Sequence, residues 1–597
     1  MFHTPVQAAL LIASIFSCRA FSSACKPLPH EPGWPSRETW NALNASVAGQ
    51  LVAPEPAGAV CHPEEDVYNN TLCNDIQEQW GNPSWHASSP WSVYYNDDTC
   101  IPDRSQPCSE AGYPAYVIVA ERAEDVQEAV KFASRTGVRL VVKATGHDFL
   151  GRSSGAGSLS VWTHLLRGIE IRREDPQAIK YGGVAAVKIA AGMQWGEVYS
   201  EAAMHNLTVV GGSDPFVGVG GLVAAGGHSP VSAHYGFPAD HVLELEVVTA
   251  DGEHRIINED SDSDLFWAMR GGGGSTFAVI LSMTVKAFPQ LPFVKWNFQL
   301  NTTANSDTFW YLTAYFHSQL PYIQEAGGMG YYYILSNVSS LQGQPSNPSA
   351  DGQLLGTFLF PQHTANEVHQ AMNPVLEDIK NSDWSTDPIQ GGGIPEEYPS
   401  YMAEWSQLDP DAAGISGRLG SWLLDEDGLA TDLTTLRKQL QTAADGLPLL
   451  GHLVSGPAVR DVQIPGGGNA ILPAWRNAYT HVVASRGWPS NNAQAKSLAT
   501  QQLRETSVPA LKALSPNSGA YLNEADPTNP EWKNDYFGEN YPRLLEIKRK
   551  WDPKGVFWCK PCVGHDDGWE VLDGPEDEDP VEWGVGQIGG RVCRTGG

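Results

Sequence analysis

One stretch of the sequence, residues 141–154, combines residue types that suit the binding of a phosphate group. It reads Val-Val-Lys-Ala-Thr-Gly-His-Asp-Phe-Leu-Gly-Arg-Ser-Ser and follows a β-rich run. Gly146 and Gly151 allow the backbone to approach a ligand closely, and free N–H groups in such a turn form an anion-binding concavity. Arg152 adds a charge, and the hydroxyl side chains add donors for phosphate oxygens. Taken alone, the stretch fits equally well a tight turn whose histidine, His147, is hydrogen-bonded.

The residues before this stretch predict the elements that a phosphate loop needs. Residues 116–119 have the composition of a strand. Apolar residues then recur at i, i+3, i+4 and i+7 between positions 126 and 133, which predicts an amphipathic helix that ends at Gly137. Residues 139–142 predict a second strand that leads directly into the loop. A strand–helix–strand unit that feeds a glycine loop is the context in which such a motif binds phosphate.

Two further glycine-rich blocks follow in the chain. The first covers residues 211–221 and 225–229, and the second covers residues 271–274. Runs of this kind let the main chain lie against a flat ligand where a Cβ atom would collide. Around them the pattern predicts strands at 188–192, 208–210, 242–249, 255–257 and 277–285, with a helix at 196–205 and an Asp-Gly hairpin turn at 250–253.

The three blocks, in this order and with the Gly146-His147 pair in the first, resemble the FAD-binding domain of the vanillyl-alcohol-oxidase/berberine-bridge-enzyme family of FAD-linked oxidases. The likeness covers about residues 110–290. It implies an α+β fold, with a two-lobed PCMH-type FAD-binding domain and a substrate domain made of an antiparallel sheet backed by helices. It also implies FAD as cofactor, bonded to His147, whose neutral imidazole is a competent nucleophile. The implied cofactor contacts are Thr145, Gly146, His147, Asp148, Gly151, Arg152, Ser153, Gly211, Gly212, Ser213, Gly220, Gly221, Gly226, His228, Ser229, Val279, Asn540 and Tyr541.

The sequence departs from those family members that link FAD twice. They use a cysteine in the block that corresponds to residues 211–221, whereas this chain has no cysteine between Cys108 and Cys559. Asp214 stands near the expected place. A second, thioether bond to FAD is therefore excluded for that block, and a single bond through His147 is the expectation.

The second half of the chain carries fewer motifs. Residues 291–515 predict helices near 309–320 and 367–379 and strands at 331–335 and 354–360, which suits the substrate domain. The Tyr-Tyr-Tyr run at 331–333 either lines a cavity or alternates between core and solvent. Residues 469–476 resemble a stretch found in fungal members, and residues 516–570 resemble the family's C-terminal berberine-bridge segment. A phenol or carboxylate is expected as the catalytic base, with Tyr398, Tyr401 and Glu524 as candidates beside Tyr521 and Asp526.

Composition indicates a secreted protein with several domains. The chain has 597 residues and a net charge of −30, a poor surface for nucleic acid or an anionic membrane. Residues 1–24 predict a signal peptide, and sequons occur at Asn44, Asn69, Asn206, Asn301 and Asn337. Eight cysteines outside that segment predict disulfides without fixing their pairing. The predicted order is signal peptide 1–24, Cys/Pro-rich extension 25–110, FAD-binding domain 111–290, substrate domain 291–515, berberine-bridge segment 516–570 and a flexible acidic tail 571–597.

These expectations favour a secreted oxidase that takes hydride from an alcohol, an amine or a secondary-metabolite intermediate and passes the electrons to O2, giving hydrogen peroxide. One alternative is an oxidative cyclase that traps the oxidised intermediate, and another is a flavin-binding protein without turnover. No metal site is expected, because Cys559-x-x-Cys562 with His565 lacks a second cysteine pair at ligand spacing. The oligomeric state stays open.

Overall fold

The computed structural model describes residues 25–94, 99–109, 112–339, 349–405, 411, 413–490, 492–572 and 591–595. The expected signal peptide and the stretch 573–590 of the tail lie outside these ranges. The fold mixes helices with parallel and antiparallel sheets, and the expected α+β class is confirmed. None of the helices in the described ranges combines the length and the apolar character that a bilayer crossing requires.

The first lobe contains the strand–helix–strand unit that the sequence predicts. Its sheet runs in the order Leu51–Val52, Tyr116–Val119, Leu159–Trp162 and Leu140–Lys143, and the last three strands are parallel. The helix Ala123–Thr136 ends because Gly137 adopts a left-handed conformation with φ 75°. Its buried apolar face packs on the sheet, so that the strand Leu140–Lys143 delivers the glycine loop to the surface of the lobe.

The second lobe is an antiparallel sheet. It runs in the order Ile169–Arg173, Ala185–Ala190, Ala278–Pro289, Val242–Thr249 and His254–Asn258, and Leu207–Thr208 pairs with the end of the long strand. The helix Trp195–Met204 packs against it through the buried Trp195 and Val198. The two glycine-rich blocks connect the elements of this lobe. They lie where the lobes meet, because Gly218 approaches Thr145 and Gly273 approaches Arg152 of the first loop.

A large antiparallel sheet forms the centre of the predicted substrate domain. Its order is Gln390–Tyr398, Phe293–Thr302, Gly352–Pro361, Met329–Leu335, Leu449–Leu453, Ala478–Gly487 and Gly417–Asp425. The helix Asp307–Ser318 covers one face, where Phe316 packs on Phe298 and Phe358. The helices Ala365–Lys380 and Leu433–Ala444 extend this layer. The other face is turned toward the glycine loops.

The C-terminal segment returns to the first two lobes. Lys548, on the helix Tyr541–Trp551, is buried and donates hydrogen bonds to the carbonyls of Thr276 (2.7 Å) and Phe557 (2.6 Å) and to Asp552 Oδ2 (2.7 Å). Shorter helices complete the described chain: Arg37–Ser46, Asn70–Gln79, Pro83–Ser88, Pro176–Lys180, Val219–Ala224, Ser232–Tyr235, Ser263–Ala268, Leu320–Glu325, Tyr401–Trp405, Glu426–Leu429, Pro457–Asp461, Ala493–Gln502, Val508–Lys512 and Trp532–Phe537.

The eight cysteines form disulfides, as their even number indicates. The pairs are Cys25–Cys593, Cys61–Cys73, Cys100–Cys108 and Cys559–Cys562. The first pair corrects one expectation, because the end of the acidic tail is not free. The strand Arg591–Arg594 pairs with Trp569–Leu572, and Cys593 ties it to the start of the described chain. Tail composition gave no sign of this strand, since its partner residues are distant in sequence.

Candidate active site

A cavity of about 600 Å³ lies between the glycine-rich loops and the inner face of the large sheet. Fourteen of the cofactor contacts and base candidates named from the sequence line it, and they come from the first two glycine-rich regions, the strand that contains Val279 and the C-terminal segment. These are Thr145, Gly146, His147, Asp148, Arg152, Ser153, Gly212, Ser213, Gly220, Gly221, His228, Val279, Tyr521 and Glu524. Gly273 and Gly274 of the third glycine-rich block line it as well.

The first loop is held by a buried lysine beneath it. Lys143 Nζ donates to the carbonyls of Ser89 (2.8 Å), His86 (3.2 Å) and Thr145 (3.4 Å), and the side chain is almost fully buried. Gly146 has φ +86°, and a Cβ atom there would lie 3.1 Å from Val93 Cα and 3.2 Å from a backbone carbonyl oxygen. Both the conformation and the close approach explain why this position is a glycine.

Arg152 and Asp148 hold the far side of the same loop. Arg152 Nε lies 3.1 Å from both oxygens of the Asp148 carboxylate, and its Nη2 also reaches Asn523 Oδ1 at 2.5 Å. This second contact joins the loop to the C-terminal segment. Arg152 Nη1 is buried without a hydrogen-bond partner among the described residues. An unpaired guanidinium nitrogen in a glycine-lined cavity fits a ligand with phosphate oxygens.

His147 lies at the edge of the cavity between two aromatic rings. Its ring centroid is 4.6 Å from that of Tyr94 and 5.3 Å from that of Phe149. Its Nε2 atom is buried without a hydrogen bond among the described residues and lies 4.0 Å from Asp411 Oδ2. A histidine with a buried, unpartnered nitrogen suits attachment to a ligand in this cavity.

Several residues named from the sequence lie outside the described lining of the cavity. Gly211 is required by packing, because a Cβ atom there would lie 2.1 Å from Trp195 Cε3. Asn540 Nδ2 donates to the Ile471 carbonyl at 3.0 Å, and Tyr541 packs on Trp532. The others that do not line it are Gly151, Gly226, Ser229 and Asp526.

The two tyrosines named as base candidates also lie away from the cavity lining. Tyr398 ends an edge strand, and its hydroxyl donates to Glu396 at 3.2 Å. Tyr401 is buried, with its ring 5.7 Å from that of Tyr199. Tyr398 therefore lies at the edge of the large sheet, and Tyr401 lies on a short helix beside the second lobe. Of the five base candidates, Glu524 and Tyr521 line the cavity.

Glu524 stands at the inner end of the cavity among histidines. Its Oε1 atom lies 3.0 Å from His228 Nε2, and its Oε2 atom lies 3.7 Å from His452 Nδ1 and 3.6 Å from His481 Nδ1. The other nitrogen of His228 lies 3.2 Å from the Tyr331 hydroxyl. A hydrogen-bonded chain therefore runs from the Tyr331 phenol through the His228 imidazole to the Glu524 carboxylate.

Burial shifts the protonation of this group. It lowers the pKa of His452 and of His481 well below the usual value. Burial raises the pKa of Glu524, but His228 and His452 lower it by more, so that the net shift is downward. Burial also raises the pKa of Tyr331 well above its usual value. At neutral pH the cluster therefore contains an ionised carboxylate, neutral His452 and His481 side chains and a protonated phenol.

The large sheet supplies the remaining wall. Side chains alternate along its strands, so that Tyr331 and Tyr333 face the cavity while Tyr332 points into the helix layer, with its hydroxyl 3.0 Å from His317 Nε2. The tyrosine run therefore both lines a cavity, through Tyr331 and Tyr333, and contributes to the core, through Tyr332. Tyr333 opposes Leu450 and Leu450 opposes Val483, which makes the outer wall apolar.

Comparison with known proteins agrees with this geometry. The FAD binding domain family matches residues 114–258, and the berberine and berberine-like family matches residues 520–564. An FAD-linked oxidoreductase of Aspergillus clavatus, patO, is 34% identical over 590 residues, covering 96% of this chain and 95% of the relative. The bifunctional decalin synthase calF of Penicillium decumbens is 35% identical over 600 residues, covering 96% of each. The chain belongs to the vanillyl-alcohol-oxidase/berberine-bridge family of FAD-linked oxidoreductases.

A solved structure from this family shares the fold. The flavoprotein MtVAO615 of Myceliophthora thermophila superposes with a TM-score of 0.82 at 31% identity, covering 96% of this chain and all of that one. This FAD-linked oxidoreductase therefore binds its cofactor with an FAD-binding domain of the expected type. The glycine loops and the unpaired Arg152 nitrogen of the cavity fit a ligand with phosphate oxygens. The family resemblance drawn from the sequence is confirmed.

Sequence reasoning missed the two histidines of the sheet in this oxidoreductase. His452 and His481 lie in strands without a motif, and only strand pairing brings them together: they oppose each other across neighbouring strands. The period of two would have put His452 on the same face as Leu450, but the register between strands was not available from the sequence.

Proposed function

We propose that this oxidoreductase is an oxidase that takes hydride from a hydroxyl-bearing or amine-bearing organic donor and passes the electrons to O2. Bound FAD supplies a hydride acceptor that O2 reoxidises with release of hydrogen peroxide. The observation that carries the proposal is the placement of the buried Glu524–His228 pair inside the same cavity as the glycine loops and His147. A protein that only stored flavin would not need the buried Glu524–His228 pair, because burying polar groups costs free energy.

His147 is proposed as the attachment point of the cofactor, through a single bond. Its ring is fixed between Tyr94 and Phe149, which leaves it one orientation toward the cavity. The place near which doubly linked relatives have a cysteine is occupied by the buried Asp214, whose two oxygens accept from Phe216 N and Asp411 N at 2.7 Å each. An aspartate has no sulfur with which to form a thioether bond, so a second link to FAD is not expected at this position.

The catalytic group is proposed to be His228, held by Glu524. The carboxylate fixes the imidazole at 3.0 Å, and Tyr331 fixes its other nitrogen at 3.2 Å. Both contacts orient the ring at the end of the cavity, where the Tyr331 hydroxyl lies between His228 Nδ1 and the bound donor. The donor O–H or N–H then gives its proton to the Tyr331 oxygen as the Tyr331 hydroxyl proton passes to His228 Nδ1, and Glu524 stabilises the imidazolium that results.

The outer half of the cavity selects the donor. An apolar wall is formed there by Tyr333, Leu419, Leu450, Val483 and Ile415. Among the described residues that line the cavity, Arg152 is the one arginine or lysine, and it is paired with Asp148. An apolar, uncharged body beside one polar group therefore fits best. We propose a bulky secondary-metabolite alcohol or amine as donor class, in preference to a sugar acid or another anion.

A second function, oxidative ring closure, is favoured by one specific observation. The relative calF, 35% identical over almost the whole chain, is named a bifunctional decalin synthase. The apolar wall formed by Tyr333, Leu450 and Val483 can pack the body of a folded donor whose oxidised form reacts with itself before release. The two functions share the cofactor and the first step, so the structure of the product distinguishes them.

The experiment that tests the proposed function has two parts. Under anaerobic conditions the purified protein is mixed with a panel of apolar alcohols and amines, and bleaching of the flavin is followed, with peroxide measured after re-aeration. A tryptic peptide containing His147 should stay yellow and carry the mass of one FAD. His147→Ala should lose that adduct, whereas His205→Ala, at the half-buried C-terminal end of a helix outside the cavity, should keep it. Failure of every donor to bleach the flavin would contradict the oxidase proposal.

We also propose that the protein is secreted and N-glycosylated. Each of the five sequon asparagines is at least partly exposed in the structure, and eight cysteines are paired in disulfides. Disulfides persist in oxidising compartments. Treatment of the secreted material with an endoglycosidase should lower its apparent mass, and material that stays in the cell without glycan would contradict this localisation.

A further inference from the structure

We propose that His452, His481 and Glu524 form a binding site for a divalent transition-metal ion of the Zn²⁺ type at the inner end of the cavity. This site goes beyond the flavin chemistry of the proposed function and does not depend on it. No metal-ligand spacing is visible in the sequence, since 29 residues separate the two histidines and Glu524 lies on another segment. The fold alone brings the three together.

The distances between the three donor atoms fit one metal ion. His452 Nδ1 and His481 Nδ1 are 3.2 Å apart, and Glu524 Oε2 lies 3.7 Å from the first and 3.6 Å from the second. The centre of a triangle with these sides lies about 2.0 Å from every corner, which matches Zn–N and Zn–O bonds of about 2.0–2.2 Å. An ion placed there would reach all three atoms without any movement of the backbone.

One of the three atoms, Glu524 Oε2, lacks a hydrogen-bond partner among the described residues of the metal-free cluster. The two carboxylate contacts are too long for hydrogen bonds, and Glu524 Oε2 is buried without a hydrogen-bond partner among the described residues. The two imidazole Nδ1 atoms lie within hydrogen-bond distance of each other at 3.2 Å, and neither ring has a carboxylate oxygen of the described residues within that distance. A cation placed between the three atoms would engage the buried carboxylate oxygen that the contact between the two histidines leaves without a partner.

The ligands are held from outside, as metal ligands usually are. His452 and His481 project from directly opposed positions on paired strands, which fixes their separation. Glu524 Oε1 accepts from His228, so the other carboxylate oxygen is turned toward the two histidines. The ring of Trp475 lies 5.3 Å from that of His481 and limits its rotation. Contacts of this kind orient the ligands of metal sites and raise their affinity.

Two nitrogen ligands and one carboxylate favour Zn²⁺ over Mg²⁺ or Ca²⁺, which prefer oxygen ligands. Three protein ligands leave a further position for a water molecule or a donor atom, as in catalytic zinc sites. His452 and Glu524 line the cavity, so this position opens toward the bound donor. An oxygen atom of the donor bound there would be polarised by the ion.

The test measures metal content in the complete flavoprotein. Protein produced in zinc-supplemented medium and desalted without chelator should contain on the order of one Zn²⁺ per chain by plasma mass spectrometry. His481→Gln and His452→Gln should lower that content by at least about tenfold, while their flavin absorbance stays as in the wild type. Zn²⁺ should also raise the melting temperature of wild-type protein treated with chelator, and it should not raise that of either variant.

Tyr331→Phe is the matched control. It removes the hydroxyl that contacts His228 and leaves the three proposed ligands in place, so its zinc content should equal that of the wild type. The proposal is overturned if wild-type protein neither retains nor takes up zinc. It is also overturned if the two histidine variants, with normal flavin absorbance, bind as much zinc as Tyr331→Phe. Both results are read independently of turnover and therefore leave the oxidase proposal untouched.

Discussion

Arg476→Met should destabilise the junction between the second lobe and the loop at residues 457–477. Arg476 grips the Asp240 carboxylate with two hydrogen bonds of 2.8 and 2.7 Å, and the Asp240 side chain is fully buried. Removing one partner of a buried pair costs about 3–5 kcal/mol, since it leaves an uncompensated charge. Because Asp240 still accepts from Asn469 at 2.7 Å and Phe237 N at 2.8 Å, we expect the lower end, about 3 kcal/mol.

The cost should depend on pH with a defined sign. Burial raises the pKa of Asp240, but Arg476, followed by His241 and the backbone N–H of Phe237, lowers it by more in sum, so the folded wild type has a lowered pKa. The pair therefore contributes fully above the usual aspartate pKa, and its contribution is lost as the pH falls through the lowered value. Without the arginine, burial dominates and the pKa of Asp240 lies above its usual value. The variant is then penalised most at neutral pH, and the penalty shrinks as the pH falls and Asp240 takes up a proton.

The assay follows the rise in flavin fluorescence as the protein unfolds on heating, and it gives the melting temperature at one scan rate, at pH 7.5 and at pH 5. At pH 7.5, about 3 kcal/mol corresponds to a fall of about 6–12 °C for a domain of 150–250 residues. Arg549→Met is the matched control, because Arg549 makes an equally short bidentate contact with Asp567 on the surface. Exposed pairs contribute up to about 1 kcal/mol. The reasoning fails if the two variants lose the same stability, or if Asp240→Asn does not restore part of the loss in Arg476→Met.

Three further outcomes are expected. Gly211→Ala should give little folded protein, because its Cβ atom would lie 2.1 Å from Trp195 Cε3. Gly221→Ala, with open space around it, should fold normally, and equal yields of the two variants would contradict the packing argument. Glu524→Gln should slow anaerobic flavin reduction about 10–150-fold, since a charge-assisted hydrogen bond is worth about 1.5–3 kcal/mol, and an unchanged rate would remove Glu524 from the mechanism. Leu450→Asp should raise KM for an apolar donor by about tenfold or more with a smaller change in kcat; a change confined to kcat would show that the wall does not bind the donor.

The FAD-binding half was predictable because its signals are local. A glycine such as Gly146 is needed for a positive φ and a close backbone approach, and both requirements can be read from one short segment. Helical spacing likewise predicted the helix that ends at Gly137, where the structure places its left-handed cap. Local signals can also mislead: Gly211 belongs to the same block as the cavity-lining Gly212, yet the ring of Trp195 is what requires it.

The inner end of the site was not predictable to the same degree, because it depends on strand register. Glu524 could be named from its segment, but nothing in the sequence brings His452, His481 and Tyr331 to it. A shift of one residue in any of those strands would turn its side chain into the helix layer, as it does for Tyr332. The tyrosines chosen from the sequence, Tyr398 and Tyr401, do not line the cavity, since one ends an edge strand and the other lies on a short helix beside the second lobe.

Register also explains how one sheet face can both hold and orient a donor. Tyr331, His452 and His481 form a row across three strands, and Tyr333, Leu450 and Val483 form the next row, two residues further along each strand. Because side chains on one face repeat every second residue, the polar and apolar rows lie about 7 Å apart. A donor whose apolar body covers the second row must present its polar group to the first. If the proposed oxidase function holds, the orientation of the bound donor follows from the pairing of three strands, and it would persist in any variant that preserves that pairing.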